Sequence, residues 1–156
     1  MKYLPLIFIL LAGCSVDNPT ESNYTEEQHD DATGLTLKPS EKMWVTFPEV
    51  VAIYVATEAC LGMTAVGPDV IFTSATEFYA TGYNAWGYYH PAGKLVLVNT
   101  NEQVGVGFPD RNKDIDTQVL KHEFIHHVLY MNGAPYHDGE SPELFAKCGV
   151  GVSINN

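Results

Sequence analysis

The residues best placed to do chemistry are His122, Glu123 and His126, in the run His122-Glu123-Phe124-Ile125-His126. Histidines four apart on a helix stand on one face about one turn apart, so both imidazoles can reach a single metal ion. Glu123 flanks that face and can take a proton from a water activated by the metal, which is hydrolytic chemistry with zinc as the expected ion. Catalytic zinc takes three protein ligands and keeps a fourth position open. His137 follows His126 after ten residues, past Gly133 and Pro135, which let the chain turn back. Asp138 and Glu143 are rival third ligands. His127 lies about 100° round the helix from His126 and cannot easily share the same ion, so it reads as a packed or solvated neighbour. A short H-E-x-x-H also arises by chance on amphipathic helices, with histidines that are only hydrogen-bonded.

The elements that must position these residues are legible around them. Thr117 to Met131 contains no Gly or Pro, Asp114 or Asp116 is expected to cap the start, and Asn132-Gly133 with Pro135 beyond gives the stop. Phe124, Ile125 and Val128 form an apolar stripe, so the helix is expected to bury one face and present the histidines on another. An earlier helix is expected within 44–63, with Thr46 as cap, Pro48 and Glu49 in the first turn and Gly62 at the end. Val70 to Thr73 reads as a strand. Gly87 to His90 and Lys94 to Asn99 flank Pro91-Ala92-Gly93 and predict a β-hairpin. Residues 100–113 predict a surface loop, since the Asp110-Asn112-Asp114 spacing lacks the Gly and distal Glu of a calcium loop. Ser141 and Pro142 open a last helix running to about Cys148. The fold class is therefore α+β, with helices packed on a short, mostly antiparallel sheet or hairpin.

The pattern H-E-x-x-H, ten residues, His137, together with Tyr136-His137-Asp138-Gly139-Glu140-Ser141-Pro142-Glu143-Leu144-Phe145, resembles the minimal SprT-like zincin metallopeptidases. The likeness spans roughly 45–150 and is specific over 119–148. It implies a zincin-like domain over 41–156, with His122, His126 and His137 holding Zn2+ and Glu123 as general base. It also implies that a strand edge beside the helix holds the substrate backbone; a hairpin that only packs on the helix is the alternative. Tyr136 and His90 are candidate oxyanion stabilisers, and Asp138 is a candidate partner for a ligand histidine. The metzincin pattern does not fit, because its glycine and third-ligand positions are Leu129 and Asn132 here.

Met1-Lys2 is a short basic start, Leu4 to Leu11 is an apolar run too short to span a membrane, and Leu11-Ala12-Gly13-Cys14 follows. This resembles bacterial lipoprotein precursors. The likeness implies a signal peptide over 1–13, lipid on Cys14 and anchoring in the cell envelope, with Ser15 favouring the outer membrane. An ordinary signal peptide with an incidental cysteine is the alternative. Residues 14–40 are polar and acidic without apolar periodicity before Leu35, and are expected to form a disordered tether. Cys60 and Cys148 remain, and in an oxidising compartment they are expected to pair, tying the first helix to the one after the metal site. Two buried free thiols are the alternative.

The 156 residues suffice for one domain and carry 19 acidic against 8 basic residues, a formal charge of −11. Removal of 1–13 would take away Lys2 and no acidic residue. So acidic a chain argues against nucleic-acid binding. The expectation is a lipid-anchored, monomeric zinc metallopeptidase acting on peptides or proteins. The alternatives are a non-catalytic lipoprotein that binds metal or a partner, and a zinc hydrolase of a non-peptide bond.

Overall fold

The computed structural model describes residues 21–73, 86–100, 111–137 and 141–150. Cys14 and the expected signal peptide, the aromatic stretch up to residue 85, residues 101–110 of the expected surface loop and Asp138 lie outside the described residues. The order is β1 (Ser22–Tyr24), β2 (Gln28–Asp30), β3 (Leu35–Leu37), β4 (Ser40–Met43), α1 (Phe47–Leu61), β5 (Asp69–Thr73), β6 (Gly87–His90), β7 (Leu95–Asn99), α2 (Lys113–Met131) and α3 (Pro142–Lys147). The class is α+β, as expected.

Strands β1 and β4 pair with each other, and the other five form a sheet in the order β2-β3-β5-β7-β6. The outer pairs β2–β3 and β6–β7 are antiparallel, while β3–β5 and β5–β7 are parallel. Three of the five strand pairings are antiparallel, as expected, and the centre of the larger sheet is parallel. Parallel neighbours need a long crossover, and α1 supplies one between β3 and β5. The expected hairpin is present as β6 and β7, with Pro91–Gly93 forming a single 3-10 turn between them.

The disordered tether does not hold over residues 21–40. This stretch carries β1, β2, β3 and the start of β4, and Leu35 and Leu37 are fully buried. Two leucines suffice because β3 is short and pairs with the central strand β5 through Thr36↔Asp69 and Leu37↔Val70. Strand β2 lies at the sheet edge, where polar residues are tolerated. The turn between β2 and β3 is closed by the Asp30 carboxylate, which accepts from the Thr33 amide (2.8 Å) and hydroxyl (2.6 Å).

Val70 and Phe72 of β5 and Val96 and Val98 of β7 alternate onto the face that meets the helices. Val50, Tyr54 and Leu61 of α1 and Leu120, Phe124 and Val128 of α2 complete that core, with Tyr54 edge-on to Phe124 at 5.1 Å. The opposite face carries a smaller cluster of Leu97, Ile71, Tyr88 and Leu95.

The helix starts are tied together. Thr46 precedes α1, and Glu49 accepts from its amide (2.8 Å) and hydroxyl (3.0 Å). Glu49 also pairs with Lys113, the first residue of α2. The cap of α2 is Asn112, whose side chain accepts from the Asp114 and Ile115 amides, rather than Asp114 or Asp116. Asp116 turns inward instead. Its carboxylate meets Arg111 at 2.7 and 2.8 Å and accepts from the Trp44 amide at 3.0 Å, while Arg111 also donates to the Lys42 carbonyl. Breaking such a buried pair from one side costs about 3–5 kcal/mol. The pair anchors the first turn of α2 at Asp116, six residues before His122.

The Lys113 ammonium first, and the Thr46 amide next, hold the Glu49 carboxyl below its ordinary range. A carboxyl lowered on folding stabilises the protein above its unfolded pKa, about 4.3, and loses that effect as pH falls. Glu49→Gln is therefore expected to melt a few degrees below wild type at pH 7, with the gap closing below about pH 4. Thermal melts across pH check this; a gap that persists in acid would place the effect elsewhere.

Candidate functional site

Helix α2 delivers His122, Glu123 and His126, but it does not hold them on an open face. His122 is 1 % exposed and Glu123 3 % exposed. The helix is enclosed by α1, by β6 and β7, and by Phe145 of α3, so most of its circumference is buried.

The Nε2 atoms of His122 and His126 approach to 3.1 Å. At zinc–nitrogen bonds of about 2.0–2.1 Å, two ligands on a tetrahedron stand roughly 3.3 Å apart, so the pair is close to that geometry. The same separation is a hydrogen bond if one nitrogen carries a proton. The orientation of His126 is set by its other nitrogen. Nδ1 lies against the Tyr136 carbonyl, which can only accept, so the proton sits on Nδ1 and the Nε2 lone pair faces His122. That is how metal-binding histidines are commonly oriented. The donor set therefore suits a zinc ion as far as these two ligands go.

Among the described residues no third ligand is assembled with them. His137 is exposed, its ring lies on that of Tyr136 at 4.2 Å, and its carbonyl accepts from the Ser141 amide. Among the described residues no group of three His, Cys, Asp or Glu side chains is gathered to hold a metal. Glu143 is exposed in the first turn of α3. His90 is not brought to the pair either. Alternation along β6 puts Gly87 and Tyr89 towards α2, and Tyr88 and His90 on the opposite face. There the His90 ring accepts from the Gly93 amide at 3.1 Å and caps the turn. His127 is a packed core residue: its Nε2 donates to the Val66 carbonyl (2.8 Å) and its Nδ1 accepts from the Tyr89 hydroxyl (3.2 Å). Burial pushes its pKa down, which keeps it neutral.

Two positions matter that the sequence reading gave no role. Gly87, the first residue of β6, lies directly against Glu123. A Cβ there would meet the Glu123 Oε1 and Val119 Cγ1 atoms at 2.6 Å, so the strand backbone can approach the carboxylate only without a side chain. A glycine opening a strand between Trp86 and two tyrosines was a usable signal of close approach. Phe145 is the other. Its ring lies 5.0 Å from both the His122 and the His126 rings and closes the site on the α3 side. Helix α3 has only six residues and is held by the Cys60–Cys148 disulfide to the last turn of α1. The expected pairing is thus present, and it braces the wall formed by Phe145.

Gly87→Ala is expected to displace the Glu123 carboxylate and to lower stability by about 1–3 kcal/mol, as overpacking does; denaturant unfolding reads the loss, and an unchanged midpoint would refute the close approach. The double variant Cys60→Ser/Cys148→Ser removes a link across 88 residues, expected to cost about 4–5 kcal/mol in the chain-entropy estimate. A loss under about 1 kcal/mol in the same assay would mean that α3 is held by packing alone. Comparisons with known protein families, with curated proteins and with solved structures find no match to this chain, so the site must be read from its own geometry.

Proposed function

We propose that this protein is a zinc-dependent peptidase, anchored to a bacterial cell envelope by lipid on Cys14. The observation that carries the reading is the convergence of the His122 and His126 Nε2 atoms to 3.1 Å, with Glu123 beside them and His126 oriented by the Tyr136 carbonyl. A purely structural metal site has no need of Glu123.

His122 and His126 would hold the ion as neutral imidazoles through Nε2. His137 is the proposed third ligand, since it follows the residue whose carbonyl already touches His126; Asp138 and Glu143 are the other candidates. Zinc, when bound, supplies a Lewis acid that polarises the scissile carbonyl and acidifies water. Glu123 takes a proton from the attacking water and delivers it to the leaving nitrogen, so one C–O bond forms as the C–N bond breaks. Gly87 keeps that carboxylate in place from the strand side. Tyr136 is the proposed oxyanion donor. Among the described residues β6 is paired on one side only, by β7, so its other edge can accept an extended peptide next to Glu123. No described helix is long and apolar enough to cross a membrane.

The test is zinc content and peptide hydrolysis of the purified chain. Wild type is expected to hold one zinc. Glu123→Gln should keep the ion and lose hydrolysis by at least about a hundredfold. His137→Ala should weaken zinc binding; if it does not, the third ligand moves to Asp138 or Glu143. A folded chain that binds no zinc would overturn the proposal in favour of a partner-binding lipoprotein. Zinc held without peptide cleavage would favour a metal-binding role or a non-peptide substrate.

A further inference from the structure

Tyr130 follows His126 by four residues and His122 by eight, so it continues the same stripe of α2 by one more turn. It is 39 % exposed, which is unusual for a large aromatic residue on a helix otherwise buried on most sides. Its ring stands edge-on to Tyr136 at 5.2 Å and to Tyr89 at 6.0 Å. Tyr89 comes from β6 and is buried; Tyr136 comes from the loop after α2, and its carbonyl is the one that orients His126. Three rings from three separate elements therefore meet beside the histidine pair. Tyr130 and Tyr136, with Tyr89 beneath, offer an uncharged aromatic surface in a chain whose formal charge is −11. Rings locked against each other lose little freedom when a further apolar group lies on them, so such a surface binds at low entropic cost.

The spacing matches an extended peptide. From Glu123, beside Gly87, to His127, beside Tyr89, is one turn of α2, about 6 Å. Gly87 to Tyr89 is two residues of strand, about 6.6 Å. A peptide laid along the β6 edge with its reacting carbonyl near Glu123 would bring a side chain two residues away beside Tyr89, whose ring meets that of Tyr130 at 6.0 Å.

We infer that Tyr130, backed by Tyr89 and Tyr136, is a specificity-determining residue that receives a bulky apolar side chain, aromatic or large aliphatic, within two residues of the bond that is cut. This rests on the peptidase reading. The sequence held a signal for it, an aromatic residue four positions beyond the second histidine of the motif.

The experiment uses the purified full chain loaded with zinc and a mixed octapeptide library, with cut sites mapped by mass spectrometry. Wild type is expected to cut next to Phe, Tyr or Leu at one position within two residues of the scissile bond. Tyr130→Ala should erase that enrichment and lower kcat/KM for a Phe-bearing peptide about tenfold more than for an Ala-bearing one, mainly through KM, with the zinc content retained. Tyr130→Phe should retain the preference. In the Glu123→Gln background the Phe-bearing peptide should bind about tenfold more weakly when Tyr130→Ala is added, a readout independent of turnover. Cleavage without apolar enrichment, or enrichment that survives Tyr130→Ala, overturns the subsite and leaves the peptidase reading standing. Loss of the preference in Tyr130→Phe would make the hydroxyl, not the ring, the determinant and overturns it too. Failure of zinc-loaded wild type to cut any library member overturns both.

Discussion

Helix α2 carries polar side chains into the interior, and much of the surrounding structure follows from the need to receive them. His122, Glu123 and His127 are nearly or wholly buried on it, and Asp116 is buried in its first turn. A buried polar group left without a partner costs roughly 1–3 kcal/mol, more if charged. Apolar packing alone could therefore not place this helix. Arg111 and the Trp44 amide receive Asp116, and the Val66 carbonyl and Tyr89 hydroxyl receive His127. The Tyr136 carbonyl receives the partly buried His126. These contacts come from the β4–α1 connection, the residues just before α2, the α1–β5 connection, β6 and the loop after α2. The position of α2 is thus agreed among several separate elements of the fold.

The site has two kinds of wall. On one side the β6 backbone comes against Glu123, an approach that only glycine at position 87 permits. On the other, the Phe145 ring lies on both imidazoles. The strand wall belongs to a five-stranded sheet and shares its rigidity. The Phe145 wall belongs to a six-residue helix that could not stand by itself, and the disulfide to α1 compensates for its length.

Much of this was legible in the residues. The histidine pair, the helix that carries it, the first helix with Thr46 and Glu49, the β6–β7 hairpin and the cysteine pairing all rest on local signals: spacing, caps, breakers and alternation. What was hidden depends on partners far away in the chain. Residues 21–40 look like a tether because β1 and β2 are three-residue strands with polar sequences, and only Leu35 and Leu37 mark the core. Asp116 reads as a cap until Arg111 draws it inward. His90 reads as a site residue until the register of β6 turns it to the other face. Glu123 and His122 look exposed on a helical wheel, because a wheel shows nothing of Gly87 or Phe145 closing over them. His137 has the spacing of a third ligand, and spacing does not decide where an exposed ring comes to rest.

The disulfide has a topological consequence as well as an energetic one. It joins residues 60 and 148, and β5, β6, β7 and α2 all fall inside the closed ring of chain. The segments 74–85 and 101–110 fall inside it too. A single peptide-bond cut in either segment would therefore release no fragment. The nicked chain would remain one covalent molecule until reduced, with both histidines on one side of the break and still joined to the half that carries Cys60.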